Sequence, residues 1–495
     1  MFLNTETDRI NRLIIRGGGA GMTELQFFAA EIKEWKDSTR RKEQLQGELY
    51  YEGKQDILNR QRTIIGEDGK LQVVYNLPNN RVVDNQYALM VDQKTNYLVG
   101  KPFSLNCENK AYVDLLNKVF NRRFHRLLKY VCEDALKGSI GWLYPYYNDQ
   151  GELAFKHFPA YEILPFWADD DHTILDCAVR LYPQEVWDGY QKKVVDRVEL
   201  FKPDGIWRYI FENDMLTPDV ENGDHEDYFS VSEGEEVTLL NWTRIPLIPF
   251  KYNKQEIPLL KRVKTLQDSI NTMLSDFENN MQEDARNTIL VLKNYDGENL
   301  GEFRHNLSTF GAVKVREDGG VETLTVEVNC ENYKGILELL KKSLIENARG
   351  YNAKDDRLSG NPNQMNIQSM YSDIDLDANG METEFQAAFE ELLWFINQDL
   401  ANKELGDFEN EEVSVTFNRD ILINESEAIE NCSKSVGILS NETIVEQHPW
   451  TNDVELELAR IKKEREEAFE QAQEYSGAFG DPNNPKNQKE QDGDE

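Results

Sequence analysis

The chain is short of positive charge: its 495 residues hold 55 Lys and Arg against 90 Asp and Glu, a formal net charge of −35. A protein that grips nucleic acid by neutralising phosphates needs the opposite sign, so conventional DNA or RNA binding is excluded. No apolar run approaches the roughly 18 residues of a membrane span, and the first residues lack the apolar stretch and cleavage site of a secretory signal. Neither a membrane nor export is therefore expected. Cysteine is sparse. Cys107, Cys132, Cys177, Cys330 and Cys432 are scattered without CxxC spacing, which points to reduced thiols and against a disulfide framework or zinc site. His125, His157, His225, His305 and His448 have no Ser, Cys or carboxylate at a spacing that suggests a triad or zinc pair, although spacing alone does not exclude a triad.

Three short motifs invite a chemical reading, and each falls short. Gly17-Gly18-Gly19-Ala20-Gly21 follows an apolar run but lacks the Gly-Lys-Ser/Thr of a P-loop and the GxGxxG of a dinucleotide site; a flexible N-terminal linker is expected. Asp373, Asp375, Asp377 and Glu384 mimic positions of a calcium loop, but Ala378 stands where the sharp turn wants Gly, which favours a polar helix stripe. Asp169-Asp170-Asp171-His172 follows Pro165-Phe166-Trp167 and reads as an exposed acidic turn rather than a metal site. No catalytic residue, metal or cofactor is implied.

The hydrophobic periodicity outlines an α+β chain of several domains. A helix with Leu45 and Leu49 ends at Tyr50-Tyr51 and stops at Gly53; a second carries Val82, Val83, Tyr87, Met90, Val91, Lys94 and Leu98 before Gly100-Lys101-Pro102. Residues 112–137 read as one helix. Residues 141–250 read as about seven short, mostly antiparallel strands, with a hairpin turn at Asn148-Asp149-Gln150-Gly151-Glu152. From Ile257 a long helix places Leu260, Val263, Leu266, Ile270, Met273, Leu274, Phe277 and Met281 on one face, with Gln267, Asp268, Asn271, Asp276, Glu278, Asn279 and Asn280 expected to be exposed. Strands at 287–293, 311–316 and 321–328 follow, the last two joined by Glu317-Asp318-Gly319-Gly320, and then a helix over 332–350. A Gly, Pro and Asn-rich linker, 351–366, precedes a helix from Ile367 to Asn402, with a kink expected at Asn379-Gly380. A strand at 413–417 and a helix at 425–436 follow. Ser440 and Asp453 are expected to cap the last two helices, and 476–495 is expected to be a disordered acidic tail.

The LYYEGKQDIL…NNRVVDNQYALMVDQKTNYLVGKPF block, IPLIPF at 245–250, SDFENNMQEDARNTILVL and the VTFNRDI…HPW series together resemble tailed-bacteriophage portal proteins of the siphophage head–tail connector type, from about Ile32 to Arg465. The resemblance implies a portal fold: an N-terminal wing (1–256), a stem helix (257–284), a clip (285–329), a second stem helix (330–350), a tunnel loop (351–366), a long wing or tunnel helix (367–410) and a strand with α-helical crown (411–475). It implies a ring of about twelve copies at a capsid vertex of the virion, assembled in the host cytoplasm. Double-stranded DNA would pass through it without sequence preference during packaging and ejection. The implied partners are the terminase large subunit, a head-completion or adaptor protein, and the major capsid and scaffolding proteins, with an ATP-driven terminase supplying the work. Acidic surface is also what an ordinary soluble protein carries, but on a channel wall it would repel the phosphates and keep a moving duplex from sticking. The tunnel loop would place Lys354, Asp355, Asp356, Arg357, Leu358, Ser359, Gly360 and Asn361 at the DNA; read without the resemblance, it is an ordinary surface loop. Lys341, Lys342 and Arg349 would form a basic band, or else a solvated helix face or ion pairs between subunits. Lys293, Lys314 and Arg316 would lie on the docking surface of the clip.

Overall fold

Thr23 opens the first described helix through a capping box: its hydroxyl accepts from the Gln26 N–H, and the Gln26 side chain accepts from the Thr23 N–H. The structure, a computed structural model, describes residues 23–65, 69–75, 77–233, 236–284, 289–295, 299, 301–303, 305, 309, 315–324, 330–352, 364–419, 425–451 and 454–478. The chain divides into two units, 1–352 with 372–420 and 353–371 with 421–495.

In the first unit, α1 (Glu24–Asp37) and α2 (Thr39–Tyr51) meet at Ser38, which ends one helix and caps the next. Gly53 then takes φ +81°, the left-handed stop expected at that place. A small hairpin follows, β1 (Thr63–Ile65) against β2 (Leu71–Val73). Val82 and Val83, expected on a helix, lie instead in an extended strap before α3 (Gln86–Val99), which Asn85 caps. The helix expected over 112–137 is two, α4 (Lys110–Val119) and α5 (Arg122–Gly138), because Asn121 turns outward and accepts from the N–H groups of Arg123 and Phe124. β3 (Ser104–Asn106) precedes α4.

The β region is richer than its periodicity suggested. β4 (Ile140–Tyr147) and β5 (Leu153–Phe158) form the expected hairpin, extended by β14 (Ile248–Lys251) into a three-stranded sheet. A larger antiparallel sheet has the order β10-β9-β8-β7-β6, made from Ile163–Trp167 (β6), Leu175–Asp188 (β7), Gln191–Lys202 (β8), Gly205–Glu212 (β9) and Met215–Pro218 (β10), with β11 (His225–Glu226) paired to β9. β12 (Phe229–Glu233) and β13 (Glu236–Leu240) pair with each other. Phe27, Phe28, Ile32 and Trp35 of α1 bury themselves against Phe166, Val179, Leu181, Val198, Leu200 and Phe211 of the large sheet.

Helix α6 (Leu259–Asp284), hairpin β15 (Ile289–Tyr295) with β16 (Val315–Leu324), and helix α7 (Cys330–Asn347) follow. Two strands were expected around a turn at 317–320. Residues 311–314 and 325–329 lie outside the described residues; among the described ones a single strand runs through, because Asp318 at φ 62° and the register shift between Lys293 and Tyr295 absorb 316–319 as an irregularity inside β16. Helix α8 (Gln364–Asn402) is helical throughout, including Asn379-Gly380. Its Phe385, Phe389 and Phe395 meet Phe250, Phe103 and Trp242 at centroid distances of 5.0, 5.0 and 5.3 Å, the apolar payload of this unit's second core. β17 (Ser414–Thr416) returns to pair with β3.

In the second unit, α9 (Glu425–Lys434), α10 (Asn441–Gln447) and α11 (Val454–Ala478) follow in sequence. Ser440 caps α10 as expected, accepting from the Thr443 N–H. Asp453 lies outside the described residues, and α11 continues to Ala478, past the point where helix was expected to end. All five cysteines are free thiols.

Candidate channel site

The paired helices α6 and α7 run antiparallel. Phe277 near the end of α6 packs against Tyr333 near the start of α7 with the rings tilted at 50° and centroids 5.0 Å apart, and the Asn280 amide donates to the Tyr333 hydroxyl at 2.9 Å. The 285–329 insert therefore leaves and re-enters where those two helix ends meet.

Gln267, Asn271 and Asn279, expected on an exposed face of α6, are buried, as is Ser275 between them. They form a ladder at four-residue spacing. Asn279 Oδ1 accepts from the Asn80 N–H (2.7 Å), Ser275 Oγ from Val82 (2.9 Å), Asn271 Oδ1 from Asp84 (2.9 Å) and Gln267 Oε1 from Tyr87 (3.0 Å). Gln267 Nε2 also donates to the Asp84 carbonyl at 2.7 Å, and Asn271 Nδ2 to Gln55 Oε1 at 2.5 Å. The spacing works over the first three rungs because four residues of helix rise about 6 Å, close to the roughly 6.6 Å that two residues of extended chain span; the fourth rung, at Tyr87, meets the first turn of α3 instead. Each rung satisfies an N–H that no strand partner reaches. Tyr50 of the expected Tyr-Tyr pair also docks on α6, its hydroxyl donating to Asp268 at 2.6 Å.

The three expected basic residues of the 330–350 region all meet carboxylates. Lys341 reaches Asp84 of the strap at 2.5 Å, Lys342 pairs along α7 with Glu346 at 3.9 Å, and Arg349 lies 3.7 Å from Asp377. They do not form one shared constellation, although each lies on or just beyond α7. Arg349 leads into a clasp that the sequence reading missed. Asp377 of α8 accepts from the Lys94 ammonium (2.7 Å), the Tyr252 hydroxyl (2.8 Å) and Arg262 Nη1 (3.2 Å). Lys94 Nζ donates a second time, to the Arg349 carbonyl at 3.1 Å. The neighbouring Gln93 brackets Tyr351, accepting from its N–H at 3.0 Å and donating to its carbonyl at 2.8 Å. One turn of α3 thus holds the chain immediately before residue 353 and touches α8 after it.

The charges of the clasp are strongly coupled. Burial alone would raise the Asp377 carboxyl, but the Lys94 ammonium, the Tyr252 hydroxyl and Arg262 overcome it and hold the group below the ordinary carboxylate range. Burial dominates at Lys94, and with repulsion from Arg262 and Arg349 it lowers that ammonium despite Asp377. The Tyr252 hydroxyl is pushed well up, by burial first and by Asp377 second. The only signal for this cluster in the sequence was Lys94 falling on an apolar helix stripe.

Residues 354–361, the expected loop, lie outside the described residues, as does Lys314. Lys293 and Arg316 are exposed on β15 and β16. The calcium-like series resolves differently. Asp375 accepts from Tyr97 and from Arg419, and a continuous helix turns Asp373, Asp375 and Asp377 to different directions. Asp169 accepts from the N–H groups of Thr173 (2.9 Å) and Ile174 (2.8 Å), the expected turn, while His172 Nδ1 lies 2.8 Å from Glu256. No cluster of three metal-ligating side chains occurs among the described residues. The Gly17–Gly21 run lies outside them.

A helix pair bracketing a β hairpin, followed by a clasped segment and a long buried helix, is the order expected from the resemblance. The family model "Phage portal protein, SPP1 Gp6-like" matches residues 31–471. The chain belongs to the phage portal family. It is 30% identical to the portal protein of Bacillus phage SPP1 over 423 residues, 85% of this chain and 83% of that one. It is 27% identical to the portal protein of Clostridium phage phiCD119 over 440 residues, 85% of this chain and 92% of the other. The role of this portal is that of its family, the capsid portal used in DNA packaging, and it is structural; phage portals are virion components that form oligomeric rings. Among the described residues no helix is long and apolar enough to cross a membrane.

Proposed function

We propose that this portal assembles as a ring of about twelve copies at a single capsid vertex and conducts double-stranded DNA through its axis during packaging and ejection. The antiparallel pair α6 and α7 with its β15–β16 insert carries this reading. In it, the pair is the stem, 285–329 is the clip on which the terminase large subunit and later a head-completion or adaptor protein dock, and Lys293, Lys314 and Arg316 lie on that docking surface. Residues 1–256 and 367–410 supply the wing, 411–475 the strand and crown, and 476–495 an acidic tail.

The portal itself hydrolyses nothing, and the terminase supplies the work. Residues 354–361 face the duplex, with Lys354 and Arg357 touching phosphates briefly against an acidic wall that discourages sticking. In this reading Lys341, Lys342 and Arg349 add a basic band, although each also faces a carboxylate, Asp84, Glu346 and Asp377. Assembly begins in the host cytoplasm with the major capsid and scaffolding proteins.

Negative-stain electron microscopy with mass determination on the purified full chain tests the ring: central-hole particles near twelve subunits are expected, and a persistent monomer or dimer would overturn it. The double reversal Lys341→Glu with Lys342→Glu tests the band. Packaging should fall while rings still form, and unchanged packaging would remove the band from the mechanism.

A further inference from the structure

The β1–β2 hairpin is naked. Every residue of both strands is exposed, with Ile65 at 75% and Leu71 at 73%, joined by Ile64, Val73 and the 93% exposed Tyr75 just beyond. A two-stranded hairpin is at best marginally stable in water, and among the described residues no layer covers this one to account for its Ile, Leu and Val. Its base, by contrast, is fastened. Arg62 Nη1 donates to the Pro78 carbonyl at 2.9 Å, the Val74 N–H to the Arg62 carbonyl at 3.0 Å, and Arg60 pairs with Asp276 of α6 at 2.9 Å. A fastened base therefore presents apolar strands.

We propose that this hairpin is an assembly arm that docks on a second copy of this chain. The inference rests on the ring reading above. Two observations favour a second copy over a transient partner. Ile65 and Leu71 lie opposite each other with Val73 on the same face, while Ile64 turns to the other; with Tyr75 just beyond, that one face exposes on the order of several hundred Å² of mostly apolar surface, comparable to the largest patch an ordinary monomer carries and a substantial share of the roughly 800 Å² that one partner contributes to a standard interface. Interfaces between permanent subunits are the more apolar kind. The electrostatics agree. The described residues of the arm, 61–65 and 69–75, include Arg62 and Lys70 and no carboxylate, while Glu67 and Asp68 of the same stretch lie outside the described residues. Against a copy carrying −35, an acid-free apolar face is one of the few surfaces that can approach without repulsion.

The test uses the full chain. First, Tyr75 is replaced by the photo-crosslinker benzoylphenylalanine, and rings are assembled from mixed light and isotopically heavy protein. Crosslinked peptides joining a light and a heavy chain are expected; rings that form and yield only within-chain links or none would overturn the arm while leaving the ring reading intact. Second, Ile65→Asp with Leu71→Asp should raise the concentration for half-assembly by at least about tenfold, measured by mass photometry with unchanged circular dichroism. Ile174→Asp, at an exposed position on another surface, should leave that concentration unchanged. Equal assembly of the double variant and the wild type would overturn the arm. A wild-type chain that stays monomeric at every concentration would overturn both readings.

Discussion

Substituting Asp377→Asn should unsettle the clasp far more than removing any one of its cations. The variant leaves the Lys94 ammonium almost fully buried with the Arg349 carbonyl as its remaining acceptor and with Arg262 and Arg349 nearby. Breaking a buried pair from one side costs about 3–5 kcal/mol, because an uncompensated charge stays inside. Lys94→Met removes the other side. Asp377 then keeps Tyr252, Arg262 and Arg349, and burial already disfavours the Lys94 charge, so the cost should be only about 1–2 kcal/mol, near that of lost hydrogen bonds. The double variant should therefore be more stable than Asp377→Asn alone, a coupling that a mutant cycle reads directly. Because a chain of this size need not unfold in one step, the assay is native-state hydrogen exchange of the α3 amides over residues 94–99, which reports the local opening free energy. Equal costs for the two single variants, or no recovery in the double, would refute the charge account of the clasp.

Acid should erase part of the same effect. The depressed Asp377 carboxyl contributes stability that is complete above its unfolded pKa of about 3.9 and is lost as pH falls through its lower folded value. The gap between wild type and Asp377→Asn in urea midpoint should thus be constant from pH 5 to 7 and shrink at pH 3. In the amide ladder, Asn271→Leu strands the Asp84 N–H and the Gln55 amide, costing about 1–3 kcal/mol for each orphaned group, with faster exchange at Asp84 as the readout. Gly141→Ala places a Cβ 2.1 Å from the Val131 carbonyl oxygen; a backbone atom cannot yield cheaply, so a loss of about 3 kcal/mol or more should appear as a lowered thermal midpoint or insoluble protein.

The sequence made the helices and the order of elements legible, since long apolar stripes such as that of α6 admit one reading. It misled where two environments share one pattern. Gln267, Asn271, Ser275 and Asn279 recur at four-residue spacing beside the apolar stripe, as a solvated face would. Only the strap's lack of a strand partner distinguishes a buried column, and that is a property of another segment. Small amides and a serine in place of Lys and Glu were the available hint. Glu317-Asp318-Gly319-Gly320 has turn composition, yet left-handed backbone at Asp318 serves a strand irregularity equally well. Of the candidate site, Lys341, Lys342 and Arg349 were readable as cations near the end of a helix. Their carboxylate partners, 257 residues away at Asp84 and 28 away at Asp377, were not, because long-range pairing leaves no local signature.

The match between helix rise and strand spacing in the ladder has a mechanical consequence. The strap cannot creep along α6: a slip of one residue would unseat its three rungs, at Asn80, Val82 and Asp84, together and turn its side chains to the opposite face. The two segments have one position in which they mesh, like a rack on a pinion. A pull along α6 therefore reaches the arm at one end of the strap and the clasp helix at the other without lost motion, until the load is enough to strip every tooth at once.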